Sequence, residues 1–332
     1  MKVVVDSAIP FLEGVLEPFA TVEYYSAECI TAAVVADADA DALIIRTRTR
    51  CNRALLEGSK VQFIATATIG FDHIDLDYCK AHNIGVATAA GCNARGVLQW
   101  VAAVLVHLSK VQGFEPEQRT LGIVGVGNVG SLVKEYAEQW GFKVICCDPP
   151  RQQRENLDFV TLEELIPQVD ILTLHTPLDN TTRGMINSAT LAPLRHGATV
   201  INASRGEVTT TEALLREDLT CAVDVWEHEP NIDARLLEKA VVATPHIAGY
   251  SLQGKANASA LALRAVAKHF ALPLENWYPE SVARSTPKSI EWQQLVATID
   301  QFCDVERESK PLKNGEDFER LRDNYNYRPE YF

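Results

Sequence analysis

The chain has 332 residues, of which 47% are hydrophobic and 23% are charged, and its formal net charge is −13. This length predicts two or three domains, and the composition is typical of a soluble protein with enough apolar residues for a core. The negative charge argues against nucleic acid or an anionic membrane as the main partner, because both attract basic surfaces. The opening residues lead directly to Asp6, and the most apolar helical run, 97–108, is too short to span a bilayer. We therefore predict a cytoplasmic protein without a membrane anchor.

The eight cysteines contain no CxxC pair, and most of them lie in apolar runs. This pattern favours reduced core thiols in a cytoplasm over a disulfide framework. The histidines show no metal-binding spacing with cysteines or carboxylates, so no metal site is predicted.

Short apolar segments alternate with helical segments along most of the chain. Predicted strands of a first unit are 2–6, 21–25, 42–46, 61–65 and 85–88, and those of a second unit are 121–125, 143–148, 170–175, 198–203, 221–225 and 241–244. Continuous apolar runs of this kind are typical of parallel strands buried on both faces. The alternation predicts an α/β protein with two Rossmann-like, doubly wound parallel sheets. Helices at 94–111 and at roughly 251–270 would carry the chain out of the first unit and back into it.

A basic run follows the third predicted strand of the first unit and contains Arg46, Arg48 and Arg50. In an extended strand these three side chains share one face, with Thr47 and Thr49 on the other. Two interpretations remain open. The arginines form a solvated face, or Arg46 helps Thr47 to hold a phosphate.

A glycine-rich segment follows the first strand of the second unit and comprises Gly125, Gly127, Asn128, Val129 and Gly130. The GxGxxG spacing allows a tight turn, close approach of a phosphate and packing of the next helix on the strand. The next strand ends in Asp148, 18 residues after Gly130, where a carboxylate accepts hydrogen bonds from a ribose and repels a 2′-phosphate. We therefore predict NAD as the cofactor. Arg151 is the kind of residue that NADP sites use, so it leaves that alternative open.

Three polar residues, Arg205, Glu229 and His246, come after predicted strands of the second unit. A guanidinium binds a carboxylate through two parallel hydrogen bonds, and an imidazole exchanges protons near neutral pH. Glu229 can hydrogen-bond the second ring nitrogen and fix the tautomer. This set fits hydride removal from a 2-hydroxy acid at the strand edge where open α/β sheets bind ligands. Singly, each residue also has an ordinary explanation as a helix cap, a solvated acid or a loop histidine, and His228 is the closest competitor of His246.

Seven segments resemble the D-2-hydroxyacid dehydrogenase family. They are ATATIGFDHID at 65–75, GCN at 91–93, GVGNVG at 125–130, CDPPR at 147–151, HTPL at 175–178, the Arg205 segment at 202–207 and TPHIAGY at 244–250. The resemblance runs from residue 2 to about residue 325. The DPPR and HIAGY strings are similar to those of a subfamily that acts in the bacterial vitamin B6 pathway.

The resemblance implies NAD-dependent oxidation of 4-phospho-D-erythronate to 2-oxo-3-hydroxy-4-phosphobutanoate, in the biosynthesis of pyridoxine and hence of pyridoxal phosphate. It implies that Arg205, Glu229 and His246 are the catalytic triad, with His246 as the proton donor and acceptor. The implied NAD contacts beyond the glycine loop are Asp148, Thr176, Ala203, Ser204, Asp224 and Gly249. The implied substrate contacts are Thr47, Thr68 and Tyr250, where Thr47 replaces the serine of better-known members.

The domain prediction combines these signals. We predict a substrate-binding lid domain at 1–93 plus 255–282, an NAD-binding Rossmann domain at 94–254 and, from the resemblance, a small C-terminal dimerisation region at 283–332. Aromatic residues of that region would favour an interface if they were exposed, so a homodimer is expected. The region is shorter than in other members.

Two alternative functions stay open. The chain resembles other D-2-hydroxyacid dehydrogenases too, which act on 3-phosphoglycerate or on hydroxypyruvate and glyoxylate. A catalytically silent NAD-sensing protein is a further alternative, although a sensor needs no proton shuttle.

Overall fold

The computed structural model describes residues 1–155 and 157–332. These residues form two compact units. The first unit combines Met1–Asn93 with Leu252–Arg284, and the second combines Ala94–Ser251 with Ser285–Phe332. The C-terminal residues therefore group with the second unit instead of standing apart.

The first unit contains a five-stranded parallel sheet of order β2-β1-β3-β4-β5. Its strands are β1 (Lys2–Asp6), β2 (Thr21–Tyr25), β3 (Ala42–Ile45), β4 (Phe63–Thr66) and β5 (Gly85–Thr88). The central strands β3 and β4 are buried along their whole length, as their unbroken apolar sequences require.

The second unit contains a six-stranded parallel sheet of order β11-β10-β9-β8-β6-β7. Its strands are β6 (Thr120–Val124), β7 (Lys143–Cys147), β8 (Ile171–Leu174), β9 (Thr199–Asn202), β10 (Thr220–Val223) and β11 (Val242–Ala243). All eleven predicted strands are present, and no end is shifted by more than two residues. The two-sheet prediction is confirmed.

Helices connect the strands in both units. In the first unit they are α1 (Ala32–Asp37), α2 (Arg53–Leu56), α3 (Leu76–Ala81) and α11 (Leu252–His269). In the second unit they are α4 (Ala94–Gln112), α5 (Asn128–Trp140), α6 (Pro149–Glu155), α7 (Leu162–Leu165), α8 (Ser188–Leu191), α9 (Thr211–Leu214), α10 (Ala234–Lys239), α12 (Trp292–Thr298), α13 (Val305–Lys313) and α14 (Phe318–Asp323). Within the described ranges, none of these helices has the length and apolar character that a membrane span requires.

Helix α4 is buried almost all round, as its sequence predicts. Leu98, Trp100 and Leu105 are completely inaccessible to solvent, and α4 packs against α5 and α13. A helix with apolar residues on every face is stable only inside a core. It therefore anchors the second unit at the point where the chain enters it.

The aromatic residues of the C-terminal segment pack against their own chain. Trp292 and Phe332 lie in the same core cluster as α4, and the ring of Tyr331 stacks on Phe302 at a centroid distance of 3.8 Å. Among the aromatic residues of this segment, Tyr327 is the exposed one, with 41% of its surface accessible. The premise that these side chains need a partner chain to cover them was therefore wrong.

Candidate active site

Three neighbouring strands of the second sheet end at the same level. Val223 at the end of β10 pairs with Asn202 of β9 on one side and with Ala243 of β11 on the other. The loops after these strands carry Arg205, Glu229 and His246 in turn. The parallel register therefore brings residues that are 17 to 41 positions apart in sequence to one edge of the sheet.

His246 and Glu229 form a hydrogen-bonded pair. Nδ1 of His246 lies 2.8 Å from Oε2 of Glu229, and Oε1 of Glu229 accepts the backbone N–H of Trp226 at 2.9 Å. Burial by itself raises the pKa of Glu229, but the bond to His246, the charges of His246 and Arg322 and the Trp226 N–H together outweigh burial and lower it. Glu229 is therefore held as a carboxylate. With Nδ1 donating to it, the imidazole presents Nε2 as its second functional nitrogen.

The loop that carries His246 is organised by Asp224, which is 1% exposed. Its carboxylate accepts the Thr244 hydroxyl at 2.6 Å and the backbone N–H groups of Ile247 and Ala248 at 2.8 and 2.9 Å. Burial raises the pKa of Asp224, and these hydrogen bonds partly oppose that rise. His246 itself has a left-handed φ of 59°, a conformation that a non-glycine residue keeps only when its surroundings enforce it. Asp224 thus holds a strained loop in one arrangement.

Arg205 stands at the start of a short 3-10 turn, Gly206–Val208. A Cβ atom on Gly206 would lie 2.0 Å from the backbone of Trp226, so only glycine allows this turn to touch the loop that leads to Glu229. The Arg205 guanidinium is half-buried and donates to the carbonyl of Ser204. Within residues 1–155 and 157–332 it has no carboxylate partner, which leaves its charge available for an anion.

The glycine loop fits a dinucleotide. Gly125 has a φ of 85°, and a Cβ atom on Gly130 would lie 2.0 Å from the carbonyl oxygen of Gly125. A Cβ atom on Gly127 would have no described atom within 4 Å, so the backbone there is open to a phosphate. Helix α5 begins at Asn128, so its first N–H groups belong to this loop.

Asp148 follows β7 and reaches back to the glycine loop. Its carboxylate accepts the N–H groups of Val126 at 2.8 Å and Arg151 at 2.9 Å. The Arg151 guanidinium is engaged by the Val126 carbonyl, the Ser131 hydroxyl and Glu155. The Glu155 carboxylate pairs with Arg151, and both Glu155 and Asp148 would repel a 2′-phosphate, which favours NAD over NADP.

The remaining predicted NAD contacts lie after neighbouring strands of the same sheet. The Thr176 hydroxyl, after β8, is buried and has no hydrogen-bond partner among the described residues, as expected of an atom that awaits a ligand. Ser204 is bonded to the Asn202 side chain at 2.9 Å, Ala203 beside it is half-buried, and Gly249 follows the Asp224-held loop. The orphaned hydroxyl and the open glycine backbone together fit the dinucleotide that the sequence predicted.

In the first unit, the predicted substrate residues follow adjacent strands. Ile45 of β3 pairs with Thr66 of β4, so Thr47 and Thr68 each come two residues after the last register pair. Strand β3 ends at Ile45 and residues 46–50 form a turn closed by Thr49 N–H donating to the Arg46 carbonyl, so the predicted strand-like alternation of arginines and threonines was wrong. Arg46 is paired with the fully buried Asp6 at 2.8 Å, and Thr47 is exposed.

Tyr250 lies in the second unit, where its ring meets Tyr325 and Tyr327 edge-on, with centroids 6.1 and 6.0 Å away. Sequence reasoning placed these two tyrosines in a dimerisation region and did not connect them with Tyr250. It also missed Arg322, which lies 3.9 Å from Glu229. No local motif links residues so far apart in the chain.

Comparison with known proteins identifies the family. Residues 92–248 match the model of the D-isomer-specific 2-hydroxyacid dehydrogenase NAD-binding domain. The chain is 43% identical over 99% of its length to an erythronate-4-phosphate dehydrogenase of Bacteroides fragilis, 97% of which is covered. The chain belongs to the D-2-hydroxyacid dehydrogenase family.

Further relatives agree with this assignment. An erythronate-4-phosphate dehydrogenase of Ectopseudomonas mendocina is 44% identical over 82% of the chain, and 73% of that protein is covered. The solved structure of NAD⁺-bound 3-phosphoglycerate dehydrogenase from Entamoeba histolytica superposes with a TM-score of 0.67 at 28% identity, covering 82% of this chain and 95% of that one. The family resemblance, the fold, the oxidoreductase activity on a CH–OH group and NAD as the cofactor are thereby confirmed.

Proposed function

We propose that this chain oxidises 4-phospho-D-erythronate at C2 to 2-oxo-3-hydroxy-4-phosphobutanoate, a step in the biosynthesis of pyridoxine. The observation that carries the chemistry is the 2.8 Å pair of His246 and Glu229 at the strand edge that also bears Arg205. The choice of substrate is supported by the likeness to erythronate-4-phosphate dehydrogenases, which extends over 99% of the chain.

In this proposal His246 is the acid–base residue. Because its Nδ1 is bonded to the Glu229 carboxylate, Nε2 is the atom that accepts the proton of the C2 hydroxyl group. Glu229 stabilises the imidazolium that results. In the reverse direction the same nitrogen returns the proton to the forming alcohol.

Arg205 binds the substrate carboxylate and stabilises the developing C2 carbonyl. NAD, when bound, would supply the acceptor for the hydride that leaves C2. We propose that the chain holds it through the glycine loop (Gly125, Gly127, Asn128, Val129 and Gly130), Asp148, Thr176, Ala203, Ser204, Asp224 and Gly249. For Asp224, the proposed contact comes in addition to its bonds within the His246 loop.

The phosphate group is assigned to hydroxyl groups and to one cation. We propose Thr47, Thr68 and Tyr250 as substrate contacts. Arg46 bonds Asp6 through Nε and Nη2, so its Nη1 is the atom that we assign to the phosphate. The roles of Arg48 and Arg50 stay outside this proposal.

The test is a substrate panel followed by NADH absorbance. 4-Phospho-D-erythronate is compared with unphosphorylated erythronate, with 3-phosphoglycerate and, in the reverse direction, with hydroxypyruvate and glyoxylate. We expect kcat/KM to be highest for 4-phospho-D-erythronate and to fall sharply without the phosphate. A higher value for 3-phosphoglycerate or glyoxylate would assign the chain to another branch of the family, and tight NAD binding without turnover of any acid would favour a sensor.

We also propose a homodimer in the cytoplasm. All eight cysteines lie in the described ranges and are free, which is typical of a reducing compartment. The homodimer is supported by the family resemblance, since the buried C-terminal aromatics no longer argue for it. Light scattering of the purified protein gives its mass directly, and a monomer would remove this part of the proposal.

A further inference from the structure

Arg322, on helix α14, faces the proposed catalytic pair from the C-terminal end of the chain. Its Nη1 lies 3.9 Å from Oε2 of Glu229, the same oxygen that bonds Nδ1 of His246. The Arg322 side chain is 21% exposed, so solvent screens its charge only in part. A second positive group therefore lies near the carboxylate oxygen that bonds the imidazole.

The segment that carries Arg322 is tied to the His246 loop. The buried guanidinium of Arg328 donates to the carbonyl oxygens of Ile247 and Ala248, next to His246, and to that of Gly96 in α4. Ser251, at the end of the same loop, donates to Glu330 at 2.8 Å. The C-terminal segment is thus bonded to the loop that carries His246.

A buried cluster anchors Arg328 in turn. Its Nη1 donates to the Tyr325 hydroxyl at 2.7 Å, and Tyr325 donates to Glu308 at 2.5 Å. The Arg328 side chain is 4% exposed. The bonds of Arg328 thus link its segment to α4, to the His246 loop and, through Tyr325, to Glu308 of α13. Arg322 is therefore presented from a fixed base.

Other charged and titratable groups also lie in this region of the described residues. Asp224 is buried and bonds the backbone of the His246 loop, and Arg205 comes from the neighbouring strand end. Glu319, one turn before Arg322, lies 3.6 Å from its guanidinium. Asp323 and Tyr327 are close enough to Tyr250 to act on it electrostatically, as Arg322 does. Arg322 reaches the Glu229 carboxylate from helix α14 and not from a loop that follows a strand.

We propose that Arg322 is a positioning residue for the Glu229–His246 pair, which it holds ready to accept a proton. The guanidinium orients the carboxylate, and its positive charge opposes addition of a proton to the pair. This proposal rests on the proposed function, in which the pair accepts the C2 hydroxyl proton. In this proposal the C-terminal segment contributes to the active site of its own chain.

The positive charge of Arg322 fixes the sign of the effect. Removing the cation makes protonation of the pair easier, so the acidic limb of the kcat/KM profile for alcohol oxidation should move to higher pH. Removing the carboxylate with Glu229→Gln makes protonation harder and should move the limb to lower pH. Arg322 and Glu229 contact each other, and yet their substitutions are expected to shift the acidic limb in opposite directions.

The first experiment measures pH profiles of Arg322→Gln, with Arg322→Lys as the charge-retaining variant. Arg320→Gln is the matched control, because Arg320 lies on the same helix, is 64% exposed and pairs with Glu316. We expect a shift of about half a pH unit in Arg322→Gln and a smaller one in Arg322→Lys, as a partly screened charge at this distance gives. Arg320→Gln should match the unmodified protein. No shift in Arg322→Gln, or equal shifts in all three variants, would overturn the proposal.

The second experiment follows the His246 imidazole by NMR in the substrate-free protein, with the signal assigned through a His246 variant. Arg322→Gln should raise the pH midpoint of this signal and Glu229→Gln should lower it. An unchanged midpoint in a folded Arg322→Gln protein would contradict the proposal. This readout needs no turnover, so a chain that oxidises no 2-hydroxy acid would defeat the proposed function while the titration still decides the effect of Arg322.

Discussion

The two parallel sheets carry their candidate functional residues at the same kind of edge but hold them very differently. At the carboxyl edge of the second sheet, Glu229 and His246 are bonded to each other, and the buried Asp224 fixes the loop between β11 and Tyr250. At the corresponding edge of the first sheet, Thr47 sits exposed in a turn, and its neighbour Arg46 is tied to Asp6.

This difference follows from what each edge has to do. Proton transfer needs donor and acceptor atoms within a few tenths of an ångström of their working positions, so the second sheet uses buried carboxylates to fix its loops. Recognition of a phosphate tolerates more freedom, because several hydroxyl and guanidinium donors can share three equivalent oxygens. We expect substitutions at the second edge to remove turnover and those at the first edge to change stability or substrate preference.

The largest effect is expected for His246→Asn. Asparagine tolerates the left-handed φ of this position, so the backbone is preserved while the base is lost. We expect kcat/KM to fall roughly 100- to 10,000-fold, with NADH binding by fluorescence unchanged. His228 also has a left-handed φ, which makes His228→Asn the matched control. Equal losses in both variants would mean that His246 has no special role.

Arg205→Ala should rank next. It removes the guanidinium that we assign to the substrate carboxylate, and kcat/KM should fall about 100- to 1,000-fold with little change in thermal stability. Arg205→Lys keeps the charge but not the planar fork, so partial activity is expected. Unaltered kcat/KM in the alanine variant would take Arg205 out of the mechanism.

Arg46→Gln tests the first edge by stability. The substitution leaves the Asp6 carboxylate, which is fully buried, without its guanidinium. We expect the free energy of unfolding in urea to fall by about 2 kcal/mol, because an uncompensated buried charge is costly. Arg53→Gln removes an exposed ion pair with Glu57 and should change little. If Arg46→Gln is as stable as this control, the Asp6 pair is not structural.

Thr47→Val should give the smallest loss of activity, and the loss should be confined to the phosphorylated substrate. Loss of one hydroxyl donor should lower kcat/KM for the phosphorylated substrate about tenfold. The slower reaction with unphosphorylated erythronate should stay the same. An equal loss of kcat/KM with both substrates would show that Thr47 does not bind the phosphate.

The sequence by itself determined the elements and the chemistry. Short continuous apolar runs between helical segments are typical of buried parallel strands, and all eleven strands followed from this pattern. The longer segments between and after them gave helices α4 and α11. Glycine spacing and the polar residues after each strand marked the cofactor loop and the Arg205, Glu229 and His246 loops, because ligands meet parallel sheets at one edge.

Only the tertiary structure decided which side chains are already engaged. The bonds of Arg151 to the Val126 carbonyl and the Ser131 hydroxyl, and the pairing of Arg46 with Asp6, depend on contacts between residues 20 to 40 positions apart. The approach of Arg322 to Glu229 spans 93 positions and has no local signature. Local patterns specify strands and helices, whereas such pairings arise only when packing brings distant segments together.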